Sequence, residues 1–124
     1  MLRKLALSVL SALMLAAAQP ALAQKIGPNG GLLAGKEGHQ TELVVSATEL
    51  AVYILDHGKV HDPKGVKIKA VLQDAGKTTS IDLVAVDGRK MVGKLSAPLA
   101  KGAIVVLTGK DDHGDVISAR YVLN

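Results

Sequence analysis

The sequence predicts an all-β fold, specifically an antiparallel immunoglobulin-like β-sandwich of about seven to eight strands. Apolar residues recur mostly at every second position in short runs, which is the periodicity of strands. Gly, Pro, Asp or Asn bounds each run, and these turn signals recur roughly every ten residues, as they do in sandwiches. No window has the apolar stripe of an amphipathic helix.

Residues 1–23 have the composition of an export signal. Arg3 and Lys4 precede the small and apolar run Leu5–Ala18, and Ala21–Ala23 is a small-residue cleavage site that predicts a cut before Gln24. The run of 14 residues is shorter than the roughly 20 that a spanning helix needs. We therefore expect a periplasmic or secreted protein with no stable membrane insertion after the signal is removed.

Residues 24–124 are expected to form a single domain, because this length supports only one core. The chain has no cysteine, so its stability must come from packing. Without Arg3 and Lys4, 13 of the 15 basic residues remain, against 11 acidic residues. Basic residues alternate with acidic ones, and no Phe or Trp is present to stack on bases. This pattern argues against nucleic-acid binding and against electrostatic binding to a lipid surface.

Eight runs have strand character, and each follows or precedes a turn signal. In chain order they are Gly31–Ala34, His39–Ser46, Glu49–Leu55, Val66–Gln73, Thr78–Val86, Lys90–Leu95, Ala103–Thr108 and Val116–Leu123. The segment Ser96–Gly102 contains Pro98 and is interpreted as a connection between sheets, with room for one helical turn.

The alternation within these runs predicts which side chains face the core. The predicted inward positions are Val66, Ile68, Ala70, Leu72, Ile81, Leu83 and Ala85. Tyr53 and Tyr121 are the only aromatic candidates for a core that is otherwise aliphatic.

The first long hairpin contains a candidate metal-binding position. If its turn is centred between Ala47 and Thr48, apolar residues pair with each other on one face, and His39 lies opposite Asp56 at the open end. Glu37 lies in the loop just before. A histidine beside a carboxylate is the usual arrangement of a metal-binding imidazole. The alternative is a strand-end histidine that only bonds to Asp56.

A second cluster follows the hairpin directly. His57 and His61 lie on either side of Gly58–Val60, and Asp56 and Asp62 flank them. Two imidazoles and two carboxylates would suit a borderline divalent ion such as copper, zinc, nickel or cobalt. Because Gly58 indicates a loop, the alternative is a set of solvated polar residues around a strand connection.

The remaining polar features favour neither calcium binding nor catalysis. The loop Asp111–Asp115 has three carboxylates but lacks the ligand spacing of an EF-hand, so we interpret it as a hairpin turn. No serine lies in a Gly-x-Ser-x-Gly turn, and no glycine-rich phosphate loop precedes a helix. We therefore expect a protein that is not an enzyme and has no catalytic residues.

Several short motifs resemble a known module. Gly27–Gly31, the sequence His39-x-x-Glu42 and Val52–Asp56 are similar to the small all-β module near the N-terminus of periplasmic adaptor subunits of heavy-metal (RND-type) efflux systems, which also occurs as free-standing exported proteins near metal-resistance genes. Later matches are Lys64–Val66, the strand ending in Leu83, Leu95–Gly102 and Ala119–Tyr121. The resemblance implies a β-sandwich near a metal efflux system. The family often has His where this chain has Asn29, which is a poor ligand for transition metals.

The patterns predict a periplasmic or secreted protein that is not an enzyme, and the resemblance implies that it is an accessory protein of heavy-metal efflux or resistance. The candidate ligands for a divalent transition metal are His39, Asp56, His57 and His61. The expected partner is an efflux-pump adaptor or another envelope protein. The alternative function is a protein-interaction module that docks without metal, through a sheet edge or through the Gly27–Gly31 turn.

Overall fold

The computed structural model describes residues 24–36 and 38–124, which contain eleven strands and no helix. The predicted signal peptide and Glu37 lie outside these residues. Within the described ranges, no helix has the length and hydropathy that a membrane span requires.

The strands pair antiparallel throughout and form two sheets. They are β1 (Lys25–Ile26), β2 (Leu32–Lys36), β3 (His39–Val45), β4 (Glu49–Asp56), β5 (Lys59–His61), β6 (Lys67–Asp74), β7 (Lys77–Asp82), β8 (Val84–Val86), β9 (Lys90–Lys94), β10 (Ile104–Lys110) and β11 (Val116–Val122). One sheet has the order β1-β2-β3-β4-β9-β8, with β5 beside the end of β4, and the other has the order β11-β10-β6-β7. The all-β sandwich is confirmed.

The predicted number of seven to eight strands is wrong, for two physical reasons. The predicted single strand from 78 to 86 bends at Leu83, so that β7 joins one sheet and β8 the other. The buried Leu83 donates its backbone N–H to the Ile68 carbonyl at 3.0 Å, which holds the bend. In addition, β1 and β5 are only two and three residues long, too short to show a period of two.

The predicted register of the β3–β4 hairpin is confirmed. Val45 lies opposite Leu50, Leu43 opposite Val52, and His39 opposite Asp56. The Ser46 N–H donates to the Glu49 carbonyl at 3.0 Å, and the Ser46 hydroxyl oxygen accepts from the Glu49 N–H at 3.1 Å. Apolar pairing and this turn agree, which fixes the register.

The core lies between the two sheets and is aliphatic apart from one tyrosine. Val66, Ile68, Ala70 and Leu72 are buried as the alternation predicts. Ala85 is exposed, because the bend at Leu83 changes the direction of the side chains that follow. Tyr121 is buried at the centre, whereas Tyr53 is only half-buried.

The two layers are joined along both sides. Residues 95–103 carry the chain from β9 in one sheet to β10 in the other, so the predicted connection is confirmed, although it contains no helical turn. Tyr121 on β11 donates its hydroxyl proton to the Thr41 carbonyl on β3 at 2.7 Å, and its oxygen lies 2.6 Å from the Thr41 hydroxyl. These links set the position of β11 against β2 and β3, where the candidate site lies.

Candidate functional site

A cleft of about 490 Å³ opens at one end of the sandwich, between β2–β4 and the β10–β11 hairpin. Ala34, Ile54, Leu55 and Ile117 give it an apolar floor. The ionisable residues that line it are Lys36, His39, Asp56, His61, Asp111, Asp112, His113 and Asp115. Three imidazoles from separate elements therefore face one cleft together with four carboxylates.

His39 and Asp56 line one side of the cleft, as neighbours across the β3–β4 ladder. The imidazole nearest to the Asp56 carboxylate is that of His57, whose Nε2 lies 3.6 Å from Oδ1. His57 itself does not line the cleft; its side chain is 81% exposed and its backbone has a φ of 49°. Its ring centroid is 6.4 Å from that of His39. Three of the four predicted ligands thus line the cleft, and His57 lies beside it.

His61 lies on the other side and faces residues that the sequence did not connect with it. Its Nε2 is 3.3 Å from the Asp112 Oδ1, and the second oxygen of Asp112 is 3.8 Å from the Nε2 of His113. The side chains of His61 and Asp112 are each about one-third exposed, whereas His113 is largely exposed. Asp112 therefore bridges imidazoles from β5 and from the β10–β11 loop.

The β10–β11 loop is the hairpin turn that the sequence predicts. The Asp111 carboxylate accepts hydrogen bonds from the backbone N–H groups of His113 at 2.9 Å and Asp115 at 2.8 Å. Because the Asp111 carboxylate already accepts two hydrogen bonds within the turn, fewer of its lone pairs are free to bind a cation. Asp112 and His113 remain turned towards the cleft.

The donor set suits a borderline divalent ion, but it has not converged on one point. Within residues 24–36 and 38–124, no group of three or more His, Asp or Glu side chains is arranged to hold a metal ion. The closest approach is the 3.3 Å between His61 and Asp112. Two ligands of one tetrahedral zinc ion lie about 3.3 Å apart, given metal–ligand bonds of about 2.0–2.1 Å. The pair therefore has a suitable spacing for two ligands, and a third would have to rotate towards them.

The Gly27–Gly31 turn surrounds a residue that sequence reasoning missed. Glu42 on β3 is fully buried, and its carboxylate accepts hydrogen bonds from the backbone N–H of Asn29 at 2.9 Å and of Gly31 at 2.8 Å. The side-chain amide of Asn29 donates a further bond at 3.1 Å. A Cβ on Gly27 would overlap the Glu42 carboxylate. The glycine-rich motif is thus a cradle for a buried carboxylate.

Burial also affects the tyrosine next to this cradle. Burial raises the pKa of the Tyr121 phenol well above its ordinary value of 10.0; the hydrogen bond with Thr41 opposes this rise, and the negative charge of Glu42 adds to it. Tyr121 therefore remains a neutral hydrogen-bond donor throughout the physiological range.

Comparison with known proteins leaves the resemblance as a prediction. The chain matches no family model, no curated protein and no solved structure.

Proposed function

We propose that the chain is an exported, non-enzymatic accessory protein of heavy-metal efflux or resistance, and that it binds a divalent transition metal ion in the cleft. One observation carries this proposal: imidazoles from β3, from β5 and from the β10–β11 loop face the same cleft. The proposed ligands are His61, Asp112 and His113, with His39 and Asp56 on the opposite side. His57 is left outside, because its side chain is 81% exposed and does not line the cleft.

The charge of the cleft supports a cationic ligand. Four aspartates line it against one lysine, so its rim is acidic while its histidines are neutral. A concave surface with one sign of charge raises the local concentration of ions of the opposite sign. The metal is cargo in this proposal. The ligands must rotate before they converge on the ion, and such a site suits an ion that is bound and released better than one that is bound permanently.

The donor atoms narrow the choice of metal. The chain has no cysteine, and the proposed ligands are imidazole nitrogens and carboxylate oxygens. These donors favour zinc, nickel, cobalt and Cu(II) over Cu(I), which prefers sulfur.

The first experiment titrates the exported protein with each of these four ions and follows binding by native mass spectrometry and calorimetry. We expect a complex of one ion per chain with at least one metal. His61→Ala should weaken it at least about tenfold, since even the loss of a residue behind a ligand costs that much. Asp87→Asn, in the β8–β9 turn outside the cleft, is the control and should leave the affinity within about twofold.

The same titration tests whether imidazoles bind the ion. A protonated imidazole cannot bind a metal, so acidification should weaken the complex if imidazoles are ligands. Equal affinities at pH 7.5 and 5.5, or no complex with any of the four ions, would contradict the proposal. A larger loss in His57→Ala than in His61→Ala would move the site to the exposed turn.

A specific observation favours one alternative, a docking module. Val84 is 65% exposed on β8, which is an edge strand of the larger sheet. An exposed apolar edge can accept a strand from another protein. Val84→Lys should block such pairing. Loss of metal tolerance in cells that carry this variant, with normal tolerance in the His61→Ala strain, would favour docking over metal binding.

A further inference from the structure

The side-chain amide of Gln24 bonds to the backbone of β11 in the way that a residue of a neighbouring strand would. Its Nε2 donates to the Val122 carbonyl at 2.6 Å, and its Oε1 accepts from the Val122 N–H at 3.2 Å. Val122 lies on β11, the outer strand of its sheet, and these two backbone groups point away from β10. The Gln24 amide therefore occupies both hydrogen-bonding groups of one edge residue, 98 positions further along the chain.

Gln24 follows the predicted cleavage site, so the contact bears on a reaction that only an N-terminal glutamine can undergo. Cleavage before Gln24, as the sequence predicts, would make it the first residue of the exported chain. An N-terminal glutamine can cyclise: its neutral α-amino nitrogen forms a bond to its own Cδ, a proton passes from that nitrogen to Nε2, the Cδ–Nε2 bond breaks, and Nε2 leaves as ammonia. The product is a five-membered lactam, pyroglutamate. This reaction needs no oxidant or other reactant.

We propose that Gln24 is the N-terminal residue of the exported protein, and that folding controls its cyclisation. Ring closure requires Cδ to approach the α-amino nitrogen and Nε2 to depart. In the folded protein, both polar atoms of the amide are bonded to Val122, so the side chain must first leave β11. Folded protein keeps a free α-amino group, whereas unfolded chains cyclise.

The test uses the full chain, exported with its own leader and purified at once. Intact-mass and N-terminal peptide spectra give the first residue and any loss of ammonia. The protein is then incubated at neutral pH with and without concentrated urea. We expect cyclisation to be at least about tenfold slower in the folded protein, since two hydrogen bonds of ordinary strength must break first. Equal rates would overturn the proposal, and so would a first residue other than Gln24.

Two proline variants distinguish the effect of the Val122 contact on cyclisation from the effect of folding as a whole. Val122→Pro removes the N–H that Gln24 accepts, and an outward-facing edge position tolerates proline. Arg120→Pro places the same change two residues earlier on β11, with the same orientation and without Gln24 as a partner. Val122→Pro should cyclise faster than Arg120→Pro by at least about threefold under folding conditions. Equal rates in the two folded variants would show that the Val122 contact does not protect Gln24.

Discussion

The Glu42 cradle and the cleft both place carboxylates beside β3. They differ in how deeply these carboxylates are buried and in how many hydrogen bonds hold them. Glu42 is fully buried, and short hydrogen bonds from Asn29 and Gly31 hold its carboxylate. Asp112 in the cleft is partly exposed and has only two imidazole neighbours, at 3.3 and 3.8 Å. The buried cluster is thus fixed by its partners, whereas the exposed one can rearrange around a ligand.

This difference separates structural roles from functional ones. The Gly27–Gly31 turn is one of the motifs on which the predicted resemblance to the metal-efflux module rests, but the N–H groups of Asn29 and Gly31 are already bonded to Glu42. Of the three histidines in the cleft, His61 and His113 lie outside those motifs. We therefore expect the first region to contribute more to stability than the cleft, for which we proposed ligand binding, and the following variants test that difference in stability.

The largest expected effect is on the cradle. Glu42→Gln keeps the shape but removes the negative charge that the N–H groups of Asn29 and Gly31 bond to, and it places an NH2 group against the donors of Asn29 that now bond to Oε1. We expect it to lower the free energy of unfolding by about 2–4 kcal/mol, measured by urea denaturation. Glu49→Gln at the start of β4 is the control and should change this energy by less than about 0.5 kcal/mol. Similar values for the two variants would refute the structural role of the cradle.

An intermediate effect is expected at the tyrosine that joins the sheets. Tyr121→Phe removes the bonds with Thr41 and should lower the free energy of unfolding by about 1–2 kcal/mol at pH 7. Tyr53→Phe, at a half-buried position, should cost less than about 0.5 kcal/mol.

The same pair of variants has a defined pH dependence. Because burial raises the pKa of Tyr121, the unfolded chain loses this proton first, from about pH 10. The contribution of Tyr121 to stability is therefore complete below pH 10 and is lost as the pH rises above it. The stability of wild type and of Tyr53→Phe should fall more steeply above pH 10 than that of Tyr121→Phe. Parallel curves for all three proteins would contradict this explanation.

The smallest effect is expected in the cleft. Asp112→Asn removes the charge between His61 and His113, and a partly exposed pair of this kind contributes only about 0–1 kcal/mol. Asp87→Asn in the β8–β9 turn is the control, since asparagine tolerates its positive φ. A loss in Asp112→Asn as large as that in Glu42→Gln would remove the distinction between the two regions.

Local patterns were sufficient for the longer strands and for part of the site. The pairing of His39 with Asp56 follows from one turn and one apolar face, both of which lie within a single hairpin. The approach of Asp112 to His61 could not be derived in this way. It joins residues 51 positions apart in two different sheets, and their relation depends on how the layers pack.

Glu42 was missed for a different reason. It alternates with Thr41 and Leu43, so a period of two places it on the face away from the core, where a charged residue is ordinary. The Gly27–Gly31 turn covers that face and supplies the donors. The available signal was a glycine-rich turn with free N–H groups shortly before a strand that contains an acid.

The bend at Leu83 and the contact of Gln24 with Val122 lie at opposite corners of the sandwich, and they resist separation of the layers unequally. At the first corner the polypeptide itself passes from layer to layer, so a covalent connection limits how far the layers can move apart there. At the second, the layers are held only by non-covalent contacts, among them the two hydrogen bonds of Gln24 with Val122 and those of Tyr121 with Thr41. Thermal opening should therefore begin along β11, and amide hydrogens there should exchange with solvent sooner than those near Leu83. β11 also borders the cleft. Opening along β11 would therefore widen the mouth of the cleft while the corner at Leu83 stays closed.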